Sequence, residues 1–110
     1  MADEAEAKRA KRADEIQLDE VKVEMYLAML PSRQRSALKD VLQCPISQQF
    51  MADPVIAADG HTYERSSIES WFRSKGKPVS PITHTDLAND KVIENWAVRK
   101  ILQDFSAALE

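Results

Sequence analysis

The sequence predicts a small α+β fold in which two tight loops, a β-hairpin, a central helix and a C-terminal helix follow an N-terminal helical arm. Asp59-Gly60, a typical hairpin turn, separates two short runs of strand-forming residues. The next segment has apolar residues at helical spacing across 68–72. Two similar tetrapeptides, at 44–47 and 80–83, place a proline second and a hydroxyl fourth, which favours tight loops.

The first element is a charged arm. Residues 1–15, MADEAEAKRAKRADE, contain only alanine and charged side chains after the first methionine. Such a stretch has no large apolar side chain to bury, which predicts a solvated helix or a disordered arm. Apolar residues begin at Ile16 and continue to Leu30, and Pro31 ends the segment.

The apolar residues of 16–30 fit two patterns. One helical face contains Leu18, Val21, Met25 and Ala28, whereas strand-like alternation selects Val21, Val23, Met25, Leu27 and Met29. We predict a helix, because the segment follows an alanine-rich start and contains Glu and Lys. Two roles stay open for this helix: a dimerising coiled coil, or docking on its own domain or on other parts of a longer protein.

A polar connector over 32–42, for which a helix is left open, leads into the compact domain near Val41. The predicted division is therefore a charged, partly helical arm over 1–40 and a folded domain over 41–110. Within the domain, residues 54–56 form the first predicted strand, and His61-Thr62-Tyr63 returns as the second. The glycine between them fits a turn position that requires a positive φ.

The central helix is predicted over 64–75. Its apolar face consists of Ile68, Trp71 and Phe72. Ser66 or Ser67 is the predicted N-cap, and Gly76 fits the position just after the last helical residue.

A loop over 77–91 separates the central helix from the last one. It contains two prolines, which disfavour regular structure. Asn95 then caps the C-terminal helix. The apolar stripe of that helix consists of Val98, Ile101, Leu102, Phe105 and Leu109.

Composition excludes several classes of function. The net charge of −3 and the pI of about 5.4 argue against a nucleic-acid-binding protein. No apolar run approaches the roughly 18 residues that a membrane span requires, and no signal peptide is visible because charges begin at Asp3. The single cysteine, Cys44, excludes an internal disulfide and fits a reducing compartment, which predicts the cytoplasm or the nucleus.

The two tetrapeptides, CPIS and SPIT, resemble half-sites for zinc in which hydroxyls replace three of four thiols. A structural zinc site needs four Cys or His ligands, and two sites need eight. Cys44, His61 and His84 are all the Cys and His residues in the chain. We therefore predict no metal and no other cofactor.

We predict instead that polar side chains hold the two loops. A structural zinc contributes on the order of 10–16 kcal/mol, whereas one neutral hydrogen bond contributes about 0.5–1.5 kcal/mol, so several bonds and a core are needed. The predicted network consists of Ser47, Asp53, Asp59, Thr62, Glu64, Arg65, Ser80, Thr83 and Asn95. The alternative for each is an ordinary cap or a solvated side chain.

Three stretches carry a family resemblance: CPISQQFMADPVIAADGHTYERSSIESWF at 44–72, KPVSPITHTDL at 77–87 and ENWAVRKIL at 94–102. In this order and spacing they resemble the U-box family of ubiquitin ligases, which are RING-like domains with polar networks in place of zinc. The resemblance covers 44–105, just over half of the chain, and leaves out the N-terminal 40 residues. It implies a zinc-free U-box fold and transfer of ubiquitin from a conjugating enzyme.

The resemblance also implies which residues bind the conjugating enzyme. These are Ile46 in the first loop, Pro81 in the second and Trp71 on the central helix. Ile46 and Trp71 have core packing as the alternative. Gln48 falls where many relatives carry an apolar or aromatic residue, which would weaken the contact or change which conjugating enzymes are accepted. His84 falls where active relatives carry an Arg or Lys that donates to both ubiquitin and the conjugating enzyme, with a plain surface position as the alternative.

The implied mechanism is positional. The thioester belongs to the conjugating enzyme, and the domain orients it so that a lysine of an unidentified protein substrate attacks it. Cys44 is expected to be a buried small hydrophobe rather than a nucleophile. Core roles are expected for Val55, Tyr63, Ile68, Leu87, Val98, Ile101 and Leu102.

Two other functions stay open. One is a non-catalytic U-box scaffold, which Gln48 and His84 favour because they depart from the commoner pattern. The other is a homodimerisation module in which Ile16–Leu30 pairs with a second copy of the chain.

Overall fold

The computed structural model describes residues 16–109. Its elements are α1 (Glu20–Ala28), α2 (Ser32–Leu42), β1 (Pro54–Ile56), β2 (Thr62–Glu64), α3 (Arg65–Lys75), β3 (Ile93–Glu94) and α4 (Trp96–Ala108). The predicted α+β fold is confirmed: hairpin, central helix and C-terminal helix follow one another as expected. The predicted charged arm over 1–15 lies outside the described residues.

The sheet is antiparallel, with strand order β2-β1-β3. Val55 pairs with Tyr63 on one side of β1 and with Glu94 on the other. The hairpin turn is confirmed, since Gly60 has a φ of 82° and donates its N–H to Ala57. The second strand begins one residue later than predicted, and the two-residue strand β3 was not predicted at all.

The core lies between the sheet, α2, α3 and α4. Its buried side chains are Ile16, Leu42, Cys44, Met51, Val55, Ala57, Tyr63, Ile68, Phe72, Val98 and Leu102. Leu87 packs against its edge. The core role expected of Ile101 is wrong: 41% of this residue is exposed, because it lies on the flank of the stripe that Val98 and Leu102 define.

Residues 20–28 are helical, as expected, but the apolar face that contains Val21 and Met25 is not the face that packs on the domain. Val23 and Leu27 are buried, whereas Val21 is 69% exposed and Met25 66% exposed. The buried pair lies on the opposite side of the helix because α1 docks on its own domain, where Tyr26 meets the ring of Phe105 edge-on at 5.2 Å.

The connector over 32–42 is a helix that supports α1. Pro31 is its N-cap residue, which suits a residue that has no N–H to satisfy. Arg35 donates from Nε to the carbonyl of Leu27 at 3.2 Å and from Nη2 to that of Leu30 at 3.1 Å. The Leu27 carbonyl also accepts from the N–H of Leu30 at 3.0 Å, so Arg35 adds a second bond there and joins α2 to the turn that follows α1.

The ends of α3 and α4 agree only partly with prediction. The N-cap of α3 is Glu64, not Ser66 or Ser67, and its side chain makes no capping bond. Gly76 ends α3 with a φ of 74°, and Asn95 caps α4 by accepting from the N–H of Val98, both as predicted. Within the part of the chain that is described, no helix is long and apolar enough to cross a bilayer.

Candidate functional site

Loop 1 (residues 44–49) is closed by its own backbone. The N–H of Cys44 donates to the carbonyl of Gln49 at 2.9 Å, and the N–H of Gln48 donates to that of Cys44 at 2.7 Å. The buried Cys44 Sγ accepts from the N–H of Ile46 at 3.4 Å. The loop therefore turns around the first side chain of its tetrapeptide.

Loop 2 (residues 80–85) repeats this geometry. The N–H of Ser80 donates to the carbonyl of Thr85 at 2.9 Å, and the N–H of His84 donates to that of Ser80 at 2.9 Å. The Ser80 Oγ accepts from the N–H of Ile82 at 3.2 Å. A hydroxyl oxygen here occupies the position that a thiol sulfur occupies in loop 1.

The fifth residue of each loop has an unusual backbone conformation. Gln48 has a φ of 59° and His84 a φ of 61°, and no other non-glycine residue within 16–109 has a positive φ. This left-handed region costs an L-residue roughly 1–2 kcal/mol. Both residues also differ from the commoner pattern of the family that the sequence resembles. Their positive φ could not be predicted, because neither residue is a glycine.

Asp59 in the hairpin holds loop 2. Its Oδ2 accepts from the Ser80 hydroxyl and from the Tyr63 hydroxyl, both at 2.7 Å, and its Oδ1 accepts from the N–H of His61 at 2.9 Å. Ser80 is fully buried. One carboxylate thus joins the hairpin, the core tyrosine and the start of loop 2.

The charge state of this cluster follows from the same bonds. Burial alone would raise the pKa of Asp59, but the bonds from Tyr63, the His61 N–H and Ser80 outweigh it, so the pKa is lowered from its ordinary value. Burial, followed by the bond to Asp59, raises the pKa of Tyr63 well above its usual range. The cluster is therefore an ionised carboxylate with neutral hydroxyl donors.

A second polar cluster joins the sheet to two helices. The buried Asp53 carboxylate receives Arg65 Nε at 2.8 Å and Arg99 Nη2 at 2.8 Å. Arg99 Nη2 also contacts Glu94 at 3.1 Å. Sequence reasoning named Asp53 and Arg65 but missed Arg99, whose only signal was a basic residue beside the apolar stripe of the last helix.

Three other predicted network residues connect separate elements. Glu64 accepts from the N–H groups of Ala52 at 2.6 Å and Asp53 at 2.7 Å. Asn95 donates from Nδ2 to the Thr62 hydroxyl at 2.8 Å, which joins the start of α4 to β2. These bonds fix the hairpin relative to the segment that follows loop 1.

Ser47 and Thr83 bond within their own loops. Ser47 Oγ accepts from the N–H of Gln49 at 3.3 Å, and Thr83 Oγ1 lies 2.7 Å from Thr85 Oγ1. The N–H of Thr83 also donates to Ser80 Oγ at 3.1 Å. The structure therefore brings Asp59 and Ser80 together across elements, whereas Ser47 and Thr83 act locally.

An open groove of about 350 Å³ runs between loop 1 and α3. We call it the α3 groove; it is lined by Ile46, Ser66, Ser67, Ser70, Trp71 and Ser74. Trp71 Nε1 donates to the carbonyl of Val79 at 2.8 Å, next to the first residue of loop 2. The ring therefore connects the groove to loop 2.

The remaining predicted residues lie on the loops. Ile46 is half-buried, so it packs against the core and also lines the groove. Pro81 is half-buried, while the side chains of Gln48 and His84 are exposed. Ile82, which sequence reasoning did not select, is 42% exposed.

The arrangement offers no metal chemistry within the described residues. Among 16–109, no group of three or more His, Cys, Asp or Glu side chains comes together in a way that could hold a metal ion. The Cys44 thiol is 1% exposed. What the surface offers is an apolar and hydroxyl-lined groove between loop 1 and α3, which suits binding of another protein.

Comparison with known proteins identifies a family for this domain. The family model described as the U-box domain matches residues 39–109. The chain is 43% identical over 72 residues to U-box domain-containing protein 19 of Arabidopsis thaliana, covering 66% of the chain and 10% of that protein. It is 48% identical over 61 residues to U-box domain-containing protein 20 of the same plant, covering 56% of the chain and 14% of that protein.

A rice relative agrees. U-box domain-containing protein 70 of Oryza sativa subsp. japonica is 47% identical over 62 residues, covering 56% of the chain and 8% of that protein. The chain thus spans only a small part of the length of the curated relatives that it matches. With the family model matching well over half of the sequence, this chain belongs to the U-box domain family.

Proposed function

We propose that this chain is a U-box ubiquitin ligase that binds a ubiquitin-charged conjugating enzyme and promotes transfer to a substrate lysine without a covalent intermediate. The observation that carries the proposal is the α3 groove, which brings Ile46 of loop 1 and Trp71 of α3 to one surface. The bond from Trp71 to Val79 fixes that surface to loop 2. We propose Pro81 and the exposed Ile82, both in loop 2, as further apolar contacts.

The proposed mechanism is orientation of a thioester that belongs to the conjugating enzyme. When the domain holds the conjugating enzyme and its ubiquitin in one arrangement, less conformational freedom is lost as the lysine attacks the thioester. The barrier to transfer is therefore lower. The burial of the only thiol, Cys44, supports a mechanism in which this chain forms no covalent intermediate. We expect a contact below roughly 1,200 Å², because the conjugating enzyme must leave to be recharged.

His84 is proposed to donate a hydrogen bond to ubiquitin and the conjugating enzyme. Its backbone is fixed by the bond from its own N–H to Ser80, and its side chain is exposed. An imidazole can donate a hydrogen bond but lacks the forked guanidinium of an arginine. We therefore propose a weaker contribution from this position than an arginine would make.

The proposed partners are a ubiquitin-conjugating enzyme, ubiquitin and an unidentified protein substrate. The proposed compartment is the cytoplasm or the nucleus. A free, buried thiol as the only cysteine supports a reducing compartment.

A scaffold that binds a conjugating enzyme without activating it is the second candidate. The exposed Gln48 and His84 favour it, because both replace the side chains that the family's commoner pattern carries. The two candidates share the groove and differ in whether binding accelerates the loss of ubiquitin.

The docking surface is tested by NMR titration of the labelled chain with an uncharged conjugating enzyme. The chain has two tryptophans and therefore two indole N–H signals. Trp71 lines the α3 groove, whereas Trp96, at the start of α4, is 68% exposed and does not line it. We expect the Trp71 signal and the amide signals of loops 1 and 2 to shift, and the Trp96 signal to stay in place.

Ile46→Ala is the matched loss-of-contact variant for this titration. It should abolish the shifts while leaving the dispersed spectrum of a folded domain. Shifts centred on Trp96, or shifts that survive Ile46→Ala unchanged, would place the partner elsewhere and contradict the proposal.

A further inference from the structure

A cation lies over the ring of Trp71, which among the described residues is the one aromatic that lines the α3 groove. Lys75 lies in the last turn of α3, four residues after Trp71, and its Nζ is 4.5 Å from the centroid of the Trp71 ring. An ammonium group over an indole at this distance is attracted by the electrons of the ring. A partner that reaches Trp71 therefore meets the Lys75 ammonium as well.

The Trp71 ring is not free to turn away from Lys75. Its Nε1 donates to the carbonyl of Val79 at 2.8 Å. Rotation of the ring would break this bond and leave a half-buried donor and acceptor without each other, which is unfavourable. A partner that contacts the face of the ring beneath Lys75 must therefore displace the ammonium group or pair with it where it lies.

The side chains that line the α3 groove beside Trp71 do not select for charge. They are Ile46 and four serines, and no charged residue lines the groove within the described part of the chain. Serine hydroxyls donate to anions and accept from cations, so they tolerate either sign. Selection for charge at this surface therefore depends on Lys75.

The segment around Lys75 also has a net positive charge. Residues 73–86 contain three lysine or arginine residues against one carboxylate, although the whole chain has a net charge of −3. Lys77 pairs with that carboxylate, Asp86, at 3.2 Å. Arg73 and Lys75 occupy the last turn of α3, where the helix dipole favours cations. The segment that contains Lys75 therefore has a net positive charge in an acidic protein.

We propose that Lys75 determines specificity at the α3 groove: it selects conjugating enzymes that present an acidic side chain beside the residue that contacts Trp71. It disfavours enzymes that present a basic side chain there. The acidic group pairs with Lys75 without displacing it from the ring, whereas a basic group meets like charge. This inference rests on the proposed function, because it takes a conjugating enzyme as the partner.

The test is the affinity of the full chain for a panel of purified, uncharged conjugating enzymes. An intermolecular NOE to the Trp71 indole proton identifies the residue of each enzyme that contacts Trp71, and the panel is divided by the charge of the side chain beside that residue. Lys75→Met removes the charge, and Lys75→Glu reverses it. Lys100→Met and Lys100→Glu are the matched controls, because Lys100 is an exposed lysine of α4 that pairs with Asp104, whereas Lys75 lies over the Trp71 ring.

We expect Lys75→Glu to weaken binding of the enzymes that present an acidic side chain by about two- to tenfold. It should strengthen binding of the enzymes that present a basic side chain by a similar factor. Both effects should shrink as salt is raised, since the charges are exposed. Lys75→Met should reduce the difference between the groups, and the Lys100 variants should leave their order unchanged.

Two results overturn the inference, and they differ in what else they remove. If Ile46→Ala abolishes binding but Lys75→Glu changes the affinity for both sets of enzymes equally or not at all, only the role of Lys75 is wrong. If no conjugating enzyme binds the native chain, the proposed function falls and the inference falls with it.

Discussion

Asp59 and Ser80, 21 residues apart, share a hydrogen bond of 2.7 Å that fixes the start of loop 2 to the hairpin. The same Ser80 oxygen accepts the N–H groups of Ile82 and Thr83 inside the loop. One hydroxyl thus orders the loop and connects it to the sheet. A metal would supply both kinds of constraint in a zinc loop, and here a serine and an aspartate supply them.

The first prediction concerns this pair. Ser80→Ala should lower the free energy of unfolding by about 1.5–3 kcal/mol, because it removes a buried bond to an ionised acceptor. Thr83→Ala removes an exposed hydrogen bond within loop 2 and should change the free energy of unfolding by less than about 0.5 kcal/mol. Chemical denaturation measures both values.

A double-mutant cycle separates the pair from its surroundings. Combining Ser80→Ala with Asp59→Asn should give a coupling energy of at least about 1 kcal/mol. A coupling near zero, or equal losses for Ser80→Ala and Thr83→Ala, would show that the bond does not hold the loop.

The second prediction is a dependence of stability on pH. The hydrogen bonds to Asp59 lower its folded-state pKa below the ordinary value of 3.8. A carboxyl with a lowered pKa contributes stability in full above its unfolded pKa, and this stability is lost as the pH falls through the folded pKa. The stability advantage of the native chain over Asp59→Asn should therefore be constant near neutral pH and shrink below about pH 4.

Denaturation of both chains across the acidic range measures this difference. An advantage that grows as the pH falls would mean that the Asp59 pKa is raised, and the assigned hydrogen bonds would be wrong.

The third prediction concerns the left-handed residues of the two loops. Gln48→Gly and His84→Gly should each raise the free energy of unfolding by up to about 1 kcal/mol, because the relieved strain exceeds the added entropy of the unfolded chain. The neighbours Gln49 and Thr85 do not have a positive φ. Their replacement by glycine should lower stability by about 0.5–1 kcal/mol.

Thermal and chemical denaturation of the four glycine variants decide this prediction. The loops would not share the geometry described above if glycine lowered stability equally at all four positions.

The fourth prediction tests the docked face of α1. Leu27 is fully buried, so Leu27→Ala should cost about 2–5 kcal/mol of stability. Met25 lies on the other side of the helix and is 66% exposed, so Met25→Ala should change stability by less than about 0.5 kcal/mol. The free energy of unfolding at several protein concentrations measures both effects.

A coiled coil through the exposed face would give another result. Met25→Ala would then be the costly variant, and its effect would grow with protein concentration.

Local sequence patterns were enough for the hairpin and the two main helices. The Asp59-Gly60 turn, Gly76 and Asn95 each act on residues close to them in sequence, so their roles follow from short-range rules. Asp59 and Ser80 could be named as polar residues of the loops. Their pairing could not be derived, because it depends on how the chain brings distant residues together.

The failures have the same cause. Arg99 contacts Asp53 46 residues away, and nothing near Arg99 in sequence indicates this. Apolar residues lie on both sides of α1, so spacing alone could not decide that Val23 is buried and Val21 exposed. Periodicity identifies an apolar face, but tertiary contacts choose which of two such faces is buried.

The most direct test of the account is ubiquitin discharge from a preloaded conjugating enzyme to free lysine, measured for the native chain, Ile46→Ala and Ile93→Ala. Ile93 is 66% exposed on β3 and does not line the α3 groove, so it is the matched control. We expect the native chain and Ile93→Ala to accelerate discharge, and Ile46→Ala to lose that acceleration while it remains folded by circular dichroism. Equal acceleration by Ile46→Ala and the native chain would contradict the docking site, and no acceleration by a folded native chain with any conjugating enzyme would contradict the ligase function.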